Sequence, residues 1–99
     1  MIKDITFKNF GHDCMYFNFI NNTLENKVTT KALIPDEENI IMLNEKYLKN
    51  IIPKMNDIIY LHKILYKIRS VSENDNGNYK IRIDKYKNYT KWAILEDIT

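Results

Sequence analysis

The residue types best able to do chemistry lie together near the N-terminus, as His12, Asp13 and Cys14. A cysteine nucleophile needs a histidine within hydrogen-bond reach and a third group that orients the imidazole. On a strand, His12 and Cys14 share one face while Asp13 points to the other, so the three side chains do not form a triad. Free cysteines are mostly small buried hydrophobic residues. We therefore predict that the protein is not an enzyme.

Metal-binding residue types are equally sparse. The chain has one cysteine and two histidines, whereas a closed structural zinc site usually needs four such ligands. His62 has no second histidine four residues away, and we interpret it as a core or boundary residue. The carboxylates of residues 36–38 are consecutive, and side chains at adjacent positions diverge. We expect no metal and no cofactor.

A basic and aromatic stretch near the C-terminus is the most suggestive feature for binding. Cations neutralise phosphates and aromatic faces stack on unpaired bases, so such a stretch suits single-stranded nucleic acid. It suits a protein interface equally well, since Tyr, Trp and Arg are common anchors there. An amphipathic hairpin in a lysine-rich chain is the plainer interpretation, since the pI of 8.6 lies below the usual basic threshold of about 9. The candidate binding residues are Tyr79, Lys80, Arg82, Lys85, Tyr86, Lys87, Tyr89, Lys91 and Trp92.

The N-terminal third has the alternation of a sheet. Segments 4–10, 14–20 and 27–34 predict three strands of an antiparallel meander. In the second segment Met15, Phe17 and Phe19 share the face that we expect to line the core. In the third, Val28, Ala32 and Ile34 share that face.

The middle of the chain has helical spacing. Apolar positions step by three and four from Leu48 to Leu65, with His62 on the same face. Asn44 is a helix-start signal, and Pro53 must kink or restart the helix. We predict helices over 45–52 and 54–69, and leave residues 39–43 open between helix and strand.

The C-terminal part returns to strand patterning. Tyr79, Ile81 and Ile83 share one face of segment 79–86, and segment 91–95 completes a hairpin. The predicted class is α+β: an N-terminal antiparallel β-meander, a central amphipathic helix or helix pair, and a C-terminal β-hairpin. With 99 residues, the chain is expected to form a single domain over 1–99.

The composition also bears on the cellular location and the genomic origin of the protein. The lone cysteine excludes a disulfide scaffold, and neither a signal peptide nor a spanning apolar run is visible, so we expect a cytoplasmic protein without membrane partners. Ile, Asn and Lys supply 42 of 99 residues, as AT-rich codons would. Residues 1–45 carry a net charge of −3 and residues 46–95 carry +7. Genomes of AT-rich phages and mobile elements encode many small proteins that block host enzymes.

We therefore predict a non-catalytic protein-binding accessory protein, with an inhibitor of a host nuclease or defence complex as the specific hypothesis. A small single-stranded nucleic-acid-binding protein is the alternative. Self-association is a third option, since an edge strand at 79–86 or 4–10 could pair with its own copy across a two-fold axis.

Overall fold

The computed structural model describes residues 10–73 and 77–86, and these form an antiparallel β-barrel. A 3-10 turn, Glu45–Tyr47, interrupts the strands. The six strands are β1 (His12–Ile20), β2 (Thr23–Leu33), β3 (Ile40–Asn44), β4 (Ile58–Leu61), β5 (Ile64–Glu73) and β6 (Asn78–Lys85).

The barrel closes through two pairings between its halves. The spatial order is β1-β2-β3-β6-β5-β4, and β4 pairs with β1 to complete the ring. Strands β1–β3 form one meander and β4–β6 form another, and the two meanders meet along β1–β4 and β3–β6. Every strand has two neighbours in the ring, although β2 pairs with β3 only through Ala32 and Leu33.

Asparagine supplies much of the left-handed backbone that the turns require. Asn21 and Asn22 have φ of 52° and 63° and join β1 to β2 in a two-residue loop. Positive φ at both loop positions matches the twist of flanking strands, and asparagine tolerates it better than most residues. Asn26, at φ 55°, lies beside the bulge that shifts the register between Tyr16 and Asn18. An asparagine-rich, glycine-poor chain therefore has enough turn-forming residues.

Alternating side chains fill the barrel. Tyr16, Leu43 and Ile81 are fully buried in the central cluster, and Leu48 packs against them from the loop after the 3-10 turn. Ile58 and Phe17, paired across β4 and β1, are also buried but lie outside that cluster. The neighbouring Ile58 and Ile59 are both buried, so β4 is covered on both faces.

The predicted central helices are wrong, and so is the α+β class. Segment 54–69 forms the end of a loop, β4 and the first part of β5, and the expected helix over 45–52 is only the 3-10 turn followed by a loop. A short strand buried on both faces gives the same apolar run as a buried helix. The isoleucines at 58, 59, 64 and 68 favour strands.

The turn inside this hairpin carries no strong sequence signal. His62 and Lys63, at φ 50° and 65°, form the two-residue connection between β4 and β5. Histidine and lysine are not the usual residues of such a turn. His62 is therefore exposed at a hairpin tip, which corrects the prediction that it lies on an apolar helix face.

The predicted faces of the first strands need partial correction. In β1 the core positions are Cys14 and Tyr16, whereas Met15 and Phe19 are only half-buried. In β2 Ala32 is buried as expected, but Ile34 lies beyond the strand and is 46% exposed. The bulge opposite Phe17 disturbs simple alternation and brings Tyr16, Phe17 and Asn18 all into buried positions.

The other predicted segments are residues 39–44, strand β6 and the two terminal strands. Residues 40–44 form a strand, and Asn44 caps the following turn by accepting a hydrogen bond from the Lys46 amide. In β6 Tyr79, Ile81 and Ile83 are buried on one face, as predicted. Strand β6 has neighbours on both sides, so edge pairing through 79–86 is not available. The predicted strands over 4–10 and 91–95 fall outside the described residues, apart from Phe10.

Candidate binding cleft

The N-terminal cluster does not assemble a catalytic group. The Asp13 carboxylate accepts a hydrogen bond from Lys31 at 2.7 Å, which lowers the pKa of Asp13. Cys14 is buried, and this burial, with a smaller effect of the Asp13 charge, raises the pKa of its thiol to about 12. Because the thiolate is the reactive form, Cys14 is a poor nucleophile at neutral pH.

The two histidines, 50 positions apart in sequence, lie side by side. The Nε2 atom of His62 is 3.0 Å from Nδ1 of His12, and both side chains are exposed. Sequence spacing alone gave no sign of this pair.

The described members of the basic and aromatic stretch have different surroundings. Tyr79 is only 6% exposed and belongs to the core cluster, so its ring is not at the surface. Lys80 is tied to Glu37 of the β2–β3 loop at 3.2 Å, whereas Arg82 and Lys85 are exposed. Tyr86 follows β6 and is half-buried. Lys87, Tyr89, Lys91 and Trp92 lie outside the described residues.

An open cleft of about 550 Å³ lies between β5, the end of β6 and the loop before β4. Among the described residues that line it, the cations are Lys67, Arg69 and Lys85, and the carboxylate is Asp84. Arg69 donates to Asp84 at 2.6 Å, so no second carboxylate of the described lining is left to pair with the two lysines. The other described lining residues are Met55, Asn56, Ile68 and Tyr86.

One corner of the cleft is aromatic. The ring of Tyr86 meets Phe19 edge-on, with centroids 6.1 Å apart, and the Lys67 ammonium lies 5.8 Å from the Tyr86 centroid. A cation at this distance from an aromatic face is attracted by the ring quadrupole. These contacts place the Lys67 charge beside the Tyr86 ring.

A buried carboxylate fixes the loop that forms the other wall. Asp57 is 1% exposed, and its Oδ2 accepts hydrogen bonds from Tyr16 Oη at 2.5 Å and from Asn18 Nδ2 at 2.9 Å. Its Oδ1 accepts from the Phe19 amide at 3.0 Å. Burial and the hydrogen bond to Asp57 raise the pKa of Tyr16, so its hydroxyl keeps its proton and donates. Satisfied networks of this kind hold a segment in one conformation.

Backbone hydrogen bonds extend this anchoring into the cleft. The Asn56 amide donates to Ile68 O, and the Ile68 amide donates to Asp57 O, each at 2.9 Å. The Lys54 amide donates to the hydroxyl of Tyr16 at 3.1 Å. Met55 lies between these tethered positions and remains 62% exposed.

A second cavity of about 470 Å³ lies beside the same loop, and Ile52 at its rim is 72% exposed. Its lining is otherwise mostly amide and includes Asn18, Asn26 and Asn50. Ile52 and Met55 thus present apolar side chains from one short loop that borders both cavities.

Sequence reasoning found part of this site. Lys85 and Tyr86 belong to the predicted stretch, whereas Lys67 and Arg69 lie outside it. Met55 was placed on the apolar face of the predicted helix, and the Asp57 network was missed because its partners are 38 to 41 positions away in sequence. The pairing that sets Lys67 opposite Asp84 is between β5 and β6, and the predicted helix over 54–69 excluded it.

Within residues 10–73 and 77–86, no three His, Cys, Asp or Glu residues are grouped to hold a metal ion. No helix in that same part of the chain has the length and apolar character needed to cross a membrane. Comparisons of the chain with protein-family models, curated proteins and solved structures found no match.

Proposed function

We propose that this is a non-catalytic binding protein that docks an acidic segment of a protein partner in the cleft between β5, β6 and the loop carrying Met55. The observation that carries this proposal is the juxtaposition of two lysines, which have no ion-pair partner among the described lining residues, with an exposed apolar side chain. Lys67, Lys85 and Met55 line the same cavity.

Charge supports an acidic ligand. Lys85 is exposed and Lys67 is half-buried, while the carboxylate of Asp84 is already engaged by Arg69. Electrostatic complementarity of this kind guides encounter and sets register, and its contribution falls as salt rises. An acidic peptide segment would therefore associate fastest at low ionic strength.

Apolar exposure supports a protein ligand. Met55 and Ile52 are 62% and 72% exposed on one loop, and the Asp57 network holds that loop in place. Pre-ordered apolar side chains beside polar groups are typical anchors of protein interfaces, because little conformational entropy is lost when they bind. A ligand bound through its phosphates alone would not need contact with either of these apolar side chains.

The partner that we propose is a nucleic-acid enzyme or defence complex of a host cell, with this protein acting as its inhibitor. The abundance of Ile, Asn and Lys, whose codons are AT-rich like the genomes of many phages and mobile elements, is what supports this choice. A cytoplasmic setting suits the protein, because Cys14 is its single cysteine and a free thiol.

Matched surface variants test the proposal. Lys85→Glu and Met55→Ser alter the cleft, while Lys27→Glu and Ile34→Ser make a charge reversal and an apolar-to-serine change at exposed positions outside its described lining. Immobilised wild-type protein is used to capture a partner from host lysate, and the purified partner is then titrated against each variant.

We expect the two cleft variants to weaken binding and the two controls to bind as wild type. Truncation of an interface anchor costs about 2 kcal/mol, or roughly 30-fold in Kd. If no stoichiometric partner is captured, or if the controls weaken binding as much as the cleft variants, the proposal is refuted.

Single-stranded nucleic acid is the second candidate ligand, favoured by the Lys67 ammonium beside the ring of Tyr86. In that case a labelled oligonucleotide should bind less tightly as salt rises, and Lys85→Glu should reduce the salt slope by roughly 0.7 per lost phosphate contact. Met55→Ser should leave this binding unchanged. An affinity that is independent of salt would exclude the phosphate-contact mechanism.

A further inference from the structure

The pair formed by His12 and His62 has the geometry of a metal-ligand pair. His62 Nε2 and His12 Nδ1 are 3.0 Å apart, and the two rings meet edge-on with centroids separated by 4.8 Å and planes inclined by 75°. At 3.0 Å the two nitrogens are within hydrogen-bond distance, so one imidazole donates to the other in the metal-free chain, and both rings must turn to direct their lone pairs at one ion.

Barrel closure holds the two rings together. Strand β1 pairs with β4 in a register that sets Cys14 opposite Leu61, so the start of β1 lies beside the β4–β5 turn. His62 takes the first position of that turn at φ 50°. The pair thus depends on two backbone features, a strand pairing and a two-residue turn.

The separation between the nitrogens fits a first-row transition metal. Imidazole nitrogens lie about 2.0–2.1 Å from zinc, so a tetrahedral angle separates two such nitrogens by about 3.3 Å. A right-angled arrangement at the same bond length separates them by about 2.9 Å. The observed 3.0 Å lies between these values, and a shift of a few tenths of an ångström would satisfy either geometry.

We propose that His12 Nδ1 and His62 Nε2 form a two-imidazole binding site for a divalent transition metal of the Cu²⁺, Ni²⁺ and Zn²⁺ class. Imidazole suits these ions, whereas Mg²⁺ and Ca²⁺ prefer oxygen ligands. Both histidines are exposed, so water fills the remaining coordination positions. Cys14, two residues from His12, is buried and stays outside the site.

Binding has a structural consequence. The ion joins the start of β1 to the tip of the β4–β5 hairpin and therefore bridges one of the two seams that close the barrel. An ion that binds the folded chain and not the unfolded chain raises the unfolding temperature by mass action.

The test uses the tag-free full chain, freed of metal with a chelator and titrated calorimetrically with CuCl₂, NiCl₂ or ZnCl₂, with MgCl₂ as the reference salt. His62→Asn removes the imidazole but keeps a residue that tolerates positive φ, and His12→Gln removes the other ligand. Lys63→Asn, at the second turn position, is the matched control.

We expect one equivalent of Cu²⁺ to bind most tightly, each histidine variant to bind about 10-fold more weakly or not at all, and Lys63→Asn to bind as wild type. In the wild-type protein, Zn²⁺ should shift the ring resonances of both histidines together, a result that needs no variant. No binding in the millimolar range, a histidine variant that binds as wild type, or a shift of only one ring would overturn the proposal.

Discussion

Replacement of Asp57 by asparagine is the most direct test of how the cleft wall is held. The Asp57 carboxylate has three donors around it: the hydroxyl of Tyr16, the amide group of Asn18 and the backbone amide of Phe19. An asparagine amide has one acceptor oxygen and one donor nitrogen. In either orientation, its NH₂ group therefore faces a donor.

The expected loss follows from counting those donors. With the amide nitrogen turned towards Phe19, the bonds from Tyr16 and Asn18 survive without the help of a negative charge. One unsatisfied buried donor costs about 1–3 kcal/mol, and bonds to a neutral acceptor are weaker than bonds to a charged one. We expect Asp57→Asn to lower the free energy of unfolding by about 2–3 kcal/mol. Asp57→Ala removes all three acceptor contacts and should lower it further.

Urea unfolding followed by far-UV circular dichroism measures this effect, with Asp36→Asn as the control at an exposed carboxylate. The control should stay within about 0.5 kcal/mol of wild type. Tyr16→Phe completes a double-mutant cycle with Asp57→Ala, and these two changes should not be additive because each removes the same hydrogen bond. A cost below about 0.5 kcal/mol for Asp57→Asn, or full additivity, would refute the network described here.

Four further predictions concern single positions. Gly77→Ala should destabilise the fold by about 1–2 kcal/mol in urea unfolding, because Gly77 has φ +74° and an added Cβ would lie 2.5 Å from the Glu45 side chain. Glu45→Ala should restore only the part of the lost stability that comes from the contact between the added Cβ and the Glu45 side chain. A Gly77→Ala variant as stable as wild type would contradict the positive φ at position 77. Thr30→Val should raise the unfolding free energy by about 1 kcal/mol, since the buried Thr30 hydroxyl has no hydrogen-bond partner among the described residues; a loss of stability would indicate a partner for that hydroxyl. Cys14 should react with a thiol reagent at pH 8 roughly 1000-fold more slowly in the folded than in the unfolded chain, because a pKa of about 12 replaces the usual 9.0. The thiol proton of Cys14 is released at lower pH in the unfolded chain than in the folded one. The contribution of Cys14 to stability should therefore fall as pH rises from about 9 to about 12. A rate of reaction with the thiol reagent that is equal in the folded and unfolded chains would exclude the assigned burial. Asn22→Gly should stabilise the β1–β2 turn by about 0.5 kcal/mol, measured as a rise in Tm, because glycine adopts its φ of 63° without strain; a lower Tm would contradict this turn type.

Several features of the protein follow from local sequence. Alternation over 79–86 predicts the buried face of β6, and the structure has Tyr79, Ile81 and Ile83 on it. The separation of Asp13 from His12 and Cys14 also follows from a strand's two-residue period. Both features depend only on residues a few positions apart, because the geometry of a strand fixes the direction of each side chain.

The central hairpin did not follow from the sequence, although its residues are strongly apolar. Positions stepping by three and four from Leu48 to Leu65 fit a helix, and His62 and Lys63 gave no turn signal. Strand β4 is covered on both faces because Ile58 meets Phe17 on one side while Ile59 enters the barrel on the other. Only the pairing with β1 decides this, and that partner lies about 40 residues away.

The cleft and the histidine pair depend on the same long-range closure. The composition and spacing of this chain establish a lysine-rich surface, a single unpaired thiol and enough asparagine for tight turns. They do not bring Met55 beside Lys85, Asp57 beside Tyr16, or His12 beside His62. These contacts exist because two meanders pair along two seams, and the free energy of that pairing is shared by the whole barrel rather than encoded in any one segment.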